Sequence, residues 1–546
     1  MPKVVSFNGK IVVEPGVYSQ IKGGEPNPPS QSTFGNVLLI DTGSNAGFGW
    51  NSGIDGVNEN GANAIYEFNT LDDFRLAVNG GILWDISKWL FKPTKDQGFR
   101  GVQKLFYVRA CATTKGTATY TWTGGGANGG IFSISPRVEG LAANGNTNIS
   151  SGLIDRGFGM RMVAGTSNTA KFAIEFYRGN FRGTDFNSVP FDNIPADKTV
   201  PTLLLKSLEF DNITDLINWA KGDATFNSWF TLDPSSVANG TGVVNAADLT
   251  SSIGNKLVAG GTETYNAQGI TDVLERIKEL DYTFILSDKY EADMTDAYNF
   301  QLLSHIKLES EFRRFLIIGG GKDGTAFAST LAAADGFNSE LVFLCFSRQK
   351  HNDPTMTGGV KVYPTLYYAA AYLGLVAGQE PQVPATYKNL DFDGVEYELS
   401  LNQRNQALLS GVIHQRFVSG MGWVINQDVN TLQKNDQGVF EDGTSPDGST
   451  MRIALLLNKE IVENMRTRFI GSNANLADPA DIKAFVETYL KFRVATKTDD
   501  NLILSFSGIT VSLRGSDAYV TYAFVPNGPV NRIFVTGFMF NVNLSA

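Results

Sequence analysis

ITDVLERIKEL (residues 270–280) places Ile270, Val273, Leu274 and Ile277 on one helical face, with Thr271 as the expected N-cap. The apolar runs YTFIL (282–286), RFLII (314–318) and ELVFLCF (340–346) follow, separated by helical patterns that close near Leu308 and Ala334. Short apolar strands alternating with helices predict a mostly parallel sheet with helices on its faces. YPTLYYAAAYLGLVAG (363–378) then reads as a helix of small residues, with Pro364 in its first turn and Gly378 at its stop. Its alanines and glycines allow a second backbone to approach closely.

Upstream the same pattern has already begun. GNVLLIDTG (35–43) and KLFYVRAC (104–111) read as buried strands, and Leu71, Phe74 and Val78 mark a helix with Asp72 and Asp73 near its N-terminal end. From Thr113 to about Gly261 the character changes to short strands and Gly/Asn turns, as in MRMVAG (160–165) and AKFAIEFYRG (170–179). One helix is expected at 214–220 and a loose loop over 235–261. Downstream come a helix opened by a capping box at Ser400–Gln403, a strand WVIN (423–426), a long helix over 450–469 with Ala454, Leu457, Ile461 and Met465 inward and Gly471 ending it, and a helix over 479–492. Four β-rich runs close the chain, 502–506, 509–513, 518–525 and 530–540, separated by Ser-Gly, Arg-Gly-Ser-Asp and Pro-Asn-Gly-Pro turn chemistry.

Both ends read as arms. VVSFNGKIVVEPGVYSQI (4–21) is strand-like and is followed by a Pro-rich tether over 23–32, while the last run is apolar on both alternating faces. Extended segments of this kind add to the sheet edge of a neighbouring subunit. The expected arm contacts are Val12, Val17, Tyr18 and Ile21 at one end, and Ile533, Val535, Phe538 and Met539 at the other. The expected fold class is thus α/β, or α+β overall: a mixed, mostly parallel sheet flanked by helices, a β-rich insertion and extended terminal strand arms. The expected division is an arm and linker over 1–32, a core in two parts over 33–112 and 263–525, an inserted outer domain over 113–262, and a C-terminal arm over 526–546.

Composition narrows the function. The 546 residues exceed one typical core, and a net charge of −10 without a run of Lys or Arg disfavours a nucleic-acid or anionic-membrane surface. No cleavable signal pattern and no run of 18 apolar residues occurs, so a protein folded in a cytoplasm is expected rather than an exported or membrane-inserted one. Cys111 and Cys345 read as buried thiols. His305, His351 and His414 lack any paired metal spacing and read as surface or helix-face residues. The carboxylate pairs Asp72-Asp73 and Asp499-Asp500 read as helix-start and turn charges, and no G-x-S-x-G occurs. Gly319-Gly320-Gly321-Lys322-Asp323-Gly324 matches G-x-G-x-x-G between a strand and a helix. The following strand ends in Ser347-Arg348 rather than in an acidic residue for a ribose, so a tight turn competes with nucleotide binding. No catalytic, cofactor or metal residues are therefore assigned.

Glu14-Pro15-Gly16-Val17-Tyr18, Phe469-Ile470-Gly471-Ser472-Asn473, and Leu502–Phe506 followed by Val520–Val525, Pro529 and Arg532–Val535 together resemble the contractile tail sheath family of bacteriophages, related to the sheaths of R-type pyocins and type VI secretion systems. The resemblance spans nearly the whole chain. It implies a structural subunit that polymerises helically in stacked rings around a tail tube, linked by its terminal arms, and contracts to drive the tube through the host envelope. Implied partners are copies of itself, the tube protein, and baseplate and tail terminator proteins, with no nucleic acid and no membrane insertion. The implied location is the virion tail after assembly in the host cytoplasm. Lys459, Arg466 and Arg468 are the candidate tube-facing residues on a basic helix face. Two alternatives stay open: a nucleotide-dependent α/β enzyme using the 319–324 turn, and a viral coat or surface adhesion protein built on the insertion.

Overall fold

In a computed structural model of the chain, the alternating run forms one half of a seven-stranded sheet. Its order across is Val412–Ile413, Val342–Cys345, Phe315–Gly319, Phe284–Tyr290, Val37–Asp41, Leu105–Arg109 and Ile65–Phe68. All neighbours pair in parallel except Ile65–Phe68, which runs antiparallel at the edge. The structure describes residues 5–7, 10–12, 34–42, 50–51, 65–78, 81–96, 98–114, 116–122, 130–139, 144, 157–166, 171–179, 202–211, 213–237, 255–265, 267–290, 301–309, 314–321, 327–352, 360–435, 438–439, 446–469, 478–496, 501–514 and 517–528.

Every residue of the five inner strands is buried, because helices cover both faces; that is why these strands read as unbroken apolar runs. Helix Thr365–Ala377 is buried along its whole length. Gly374 explains how it packs so closely: a Cβ there would lie 2.4 Å from the Trp89 carbonyl oxygen. The partner is helix Gly81–Phe91, which the sequence reading did not identify. Pro364 takes the N-cap position, one residue before the first turn, and Gly378 the C-cap.

A second hydrophobic cluster draws only on residues between Ala118 and Val258. It lies between a four-stranded antiparallel sheet (Thr202–Lys206, Phe172–Gly179, Gly157–Ala164, Asn255–Leu257) and a three-stranded one (Phe230–Val237, Gly130–Pro136, Ala118–Trp122). Phe158, Met160, Phe172, Ile174 and Phe176 fill it, as period-2 alternation requires. The expected helix occupies Ile213–Gly222, and a second, Ala224–Trp229, follows with Asp223 capping the Phe226 amide at 2.7 Å. The loop expected over 235–261 is corrected in part. Its first residues extend strand Phe230–Val237, and Asn255–Leu257 pairs with Gly157–Ala164, since both bury apolar neighbours of the cluster. The chain enters and leaves this region through Cys111–Thr114 and Thr262–Tyr265, which pair antiparallel with each other.

Two further expectations are corrected. Helix Ala267–Arg276 begins before Thr271, so Thr271 lies inside it rather than capping it; the inward face of Ile270, Val273, Leu274 and Ile277 is buried as the period predicts. The Ser507-Gly508 break is not a turn. Residues 503–514 form one strand, and Gly508, at φ +64, sits where the register shifts in a bulge.

A third cluster joins helix Gly448–Phe469, helix Pro479–Phe492 and the closing hairpin. Its long helix is docked to the sheet core by a buried ion pair: Arg452 donates to Asp428 at 2.8 Å and to the Val383 carbonyl at 3.1 Å, while Tyr372 donates to the other Asp428 oxygen at 2.7 Å. Both charges are fully excluded from water. Among the described residues, no helix is long and apolar enough to cross a membrane.

Candidate assembly interface

Strands Ile503–Arg514 and Asp517–Pro526 pair antiparallel from Ile503↔Pro526 to Arg514↔Asp517. Their base is anchored. Leu502, Ile503 and Tyr522 pack on Ile482, Val486 and Leu490 of helix Pro479–Phe492, whose start is fixed by Asp478 accepting from the Ala480 amide and by Pro479 in the first turn. Beneath them Glu460 is buried, accepting from Tyr489 at 3.0 Å and from Arg493. Burial, with Glu460 beside it, pushes the Tyr489 hydroxyl well up from its ordinary range.

Beyond this base one face, with Phe506, Ile509, Val511, Val520 and Phe524, is partly covered by the third cluster, and the other face stands in water. Leu504, Leu513 and Val525 are 54%, 45% and 50% exposed, apolar side chains left open by the described residues. Among the described residues the hairpin's outer edges have one further partner, a short bridge between Val494 and Ile503. A two-stranded ribbon is marginal in water by itself, and open edges are templates for another strand. Its geometry therefore supports strand addition more than any chemistry.

Two short strands near the N-terminus are also paired. Val5–Phe7 pairs with Lys10–Val12, with Val5 opposite Val12, and these strands pair only with each other among the described residues. The continuous strand expected over 4–21 is corrected to that extent. The overlooked signal is Asn8-Gly9, the dipeptide that favours the tightest hairpin connection. Val12 lies in this hairpin, whereas Val17, Tyr18, Ile21, Ile533, Val535, Phe538 and Met539 lie outside the described residues, as does Gly471.

The three basic candidates on the long helix separate. Lys459 is buried, ion-paired with Asp281 and 3.9 Å from Glu463, so it does not belong to an open basic face. Helical periodicity marked its position but not the sheet-core turn that packs over it. Arg466 is half-buried and Arg468 exposed. The Arg468 guanidinium lies 5.3 Å from the Phe485 ring, in an open groove shared with Asn464, Asp481 and Phe492.

The first three glycines of the 319–324 turn, the described ones, meet filled space. Gly319 abuts the start of helix Thr365–Ala377, where a Cβ would come within 2.9 Å of the Leu366 nitrogen. A Cβ on Gly320 would meet Thr330 at 2.6 Å, and Gly321 adopts φ +63 beside the Phe346 ring. These glycines are thus explained by backbone packing and a tight turn. Where strands Val37–Asp41 and Phe284–Tyr290 end, Asp288 accepts from the Thr42 amide at 2.9 Å and its hydroxyl at 2.7 Å. Among the described residues no group of His, Cys, Asp and Glu is arranged to hold a metal.

The histidine expectation holds for His305 as a helix residue, within His305–Glu309, and is corrected on exposure. His305 and His414 are buried, not surface residues, because each satisfies a ring nitrogen inside the fold: His305 Nε2 lies 2.6 Å from the Tyr282 hydroxyl, and His414 Nε2 lies 2.9 Å from the Asn426 side-chain amide. Burial lowers their pKa values to about 3 and about 4. His351 is partly buried, 3.1 Å from Asp393. Cys345 is a buried free thiol whose pKa burial pushes up; the side chain of Cys111 lies outside what is described.

No family model matches the chain. It is 21% identical to the tail sheath protein of Bacillus phage SP01, covering 97% of this chain and 96% of that protein. The crystal structure of the sheath tail protein from Desulfitobacterium hafniense superposes with a TM-score of 0.50 at 15% identity, covering 94% of this chain and 99% of that one. That of the sheath tail protein from Listeria innocua gives 0.45 at 14% identity over 92% of this chain and 97% of the other. The chain has the fold of a sheath tail protein and, from end to end, resembles the sheath subunit of a phage tail.

Proposed function

We propose that this chain is a structural subunit of a contractile phage tail sheath, polymerising helically around a tail tube and contracting to drive the tube through the host cell envelope. The observation that carries the reading is the closing hairpin, anchored at its base and open along its edges, in a chain that resembles a phage sheath protein over nearly its full length. Residues 1–32 and 526–546 are the arms that add to such edges in neighbouring copies, with Val12, Val17, Tyr18, Ile21, Ile533, Val535, Phe538 and Met539 as contacts. Residues 33–112 and 263–525 form the core, and 113–262 the outer domain.

Each strand-addition hydrogen bond nets only about 0.5–1.5 kcal/mol, so one arm is a modest link and an array of them a strong one. Head-to-tail contacts that do not close generate a helical tube. Contraction draws on repacking of these interfaces, a structural rather than catalytic role. The partners are further copies, the tube, the baseplate and the tail terminator; the site of assembly is the host cytoplasm and the final location the virion tail. Arg466 and Arg468 remain the candidates for the tube-facing surface, and Lys459 supports the helix from within.

Negative-stain electron microscopy of the purified full chain, beside a version lacking residues 1–21, tests this. Long hollow tubes from the full chain that shorten or vanish without the arm are expected. A stable monomer across salt and concentration would overturn the reading.

A further inference from the structure

The β-rich region, with its separate hydrophobic cluster, joins the sheet core through the paired strands Cys111–Thr114 and Thr262–Tyr265, prolonged by a single bridge between Thr117 and Ala259. A ribbon of two strands twists and bends easily, so it does not by itself fix the direction in which the region points. A second link lies away from this neck: Trp50–Asn51 pairs with Val138–Glu139. A further link among the described residues is a side-chain contact. Arg178, near the end of strand Phe172–Gly179, holds its guanidinium carbon 5.3 Å from the Phe158 ring and 5.5 Å from the Trp229 ring, both in the β-rich region. The same carbon lies 5.6 Å from the ring of Trp84, which belongs to helix Gly81–Phe91 of the sheet core.

Trp84 is itself prepared for this contact. Its indole nitrogen donates to the Arg75 carbonyl at 3.1 Å, the Arg75 guanidinium lies 4.3 Å from its ring, and Arg75 is held by the Ser87 hydroxyl at 3.2 Å. The ring is therefore fixed within the core before a cation from the β-rich region reaches it. A guanidinium is more weakly hydrated than an ammonium, and its charge is attracted to aromatic faces on more than one side.

We propose that Arg178 is a latch: through its cation–π contact with the Trp84 ring, 5.6 Å away, it sets the orientation of the β-rich region on the sheet core, with the paired strands 111–114 and 262–265 as the hinge. This is independent of the assembly reading, since it concerns one subunit.

Hydrogen exchange by mass spectrometry on the full-length protein, kept dilute enough to remain unassembled, tests it with R178A, R178K and W84L. Trp84 lies outside the second cluster, so W84L removes the latch without touching the core of the β-rich region. R178A and W84L are both expected to speed exchange at 111–114, 262–265 and 138–139 by roughly threefold to thirtyfold, the range a cation–π contact supports. Exchange at 158–162 and 172–176 stays unchanged in W84L, and R178K falls between wild type and R178A. Unchanged hinge exchange in W84L overturns the proposal. So does faster exchange throughout the β-rich region in R178A with W84L silent, because Arg178 would then be only an internal support of that region.

Discussion

The central sheet and the closing hairpin are both built from β-branched and aromatic strands, yet they satisfy their backbones in opposite ways. Strands Val37–Asp41, Phe284–Tyr290 and Phe315–Gly319 each have a hydrogen-bonded neighbour on both sides and no residue open to water. Strands Ile503–Arg514 and Asp517–Pro526 have each other, and only a few residues at their base are buried. The sheet is thus complete within one chain. The hairpin leaves much of its length exposed, which suits a strand pair that others can join.

Perturbations that fall on one region and spare the other sharpen this contrast. The largest effect is expected where the hairpin's supporting helix meets the sheet core. Arg452→Met leaves Asp428 charged and unpaired in a dry site, and should destabilise the chain by about 3–5 kcal/mol, read from its denaturant midpoint. Removing packing inside the sheet comes next. Ile317→Ala should cost about 2–5 kcal/mol in the same assay. A loss below about 0.5 kcal/mol would mean that the sheet is not the close-packed unit described.

Acid distinguishes the regions as well. His305 and His414 have folded pKa values near 3 and 4, below the ordinary 6.5, so the unfolded chain takes up protons first as the pH falls. Their contribution to stability is complete above pH 6.5 and is lost progressively on going down towards pH 3–4. From pH 6.5 to 5.5 each histidine should remove about 1 kcal/mol, and His305→Gln should flatten the slope. Equal slopes in the two proteins would show that His305 does not titrate this way. The smallest effect on the subunit, and the sharpest contrast, belongs to the hairpin: Leu513→Lys should change monomer stability by less than about 0.5 kcal/mol while abolishing tubes in the microscope. Normal tubes from this variant would break the comparison.

How much of this was legible depended on whether a signal was local. Strands 315–319 and 342–345 were read from short apolar runs, helix Leu401–Leu409 from Ser400 and Gln403, whose reciprocal bonds form the expected box, and helix Pro479–Phe492 from its proline start. Helix Gly81–Phe91 carries a local stripe as well, in Ile82, Ile86, Trp89 and Leu90, which the strand and loop signals around it obscure. The Gly508 break was misread because a glycine at positive φ serves a bulge as well as a turn, and only the register across the strands distinguishes them. Of the candidate interface, the strand-rich ends were legible, while the Val5–Phe7/Lys10–Val12 hairpin and the burial of Lys459 were not.

By itself the sequence determined the class of the fold, the β-rich character of the middle region and the resemblance to sheath proteins, because periodicity, caps and turn residues are written within a few positions of where they act. Tertiary structure decided which polar groups are buried and which strand edges stay open. Lys459 meets Asp281 across 178 residues, Arg178 reaches Trp84 from another sheet, and Tyr372 finds Asp428 across 56 residues. Contacts between positions so far apart in the chain leave no local period to read; they exist only once the sheet, the β-rich region and the closing helices have packed together.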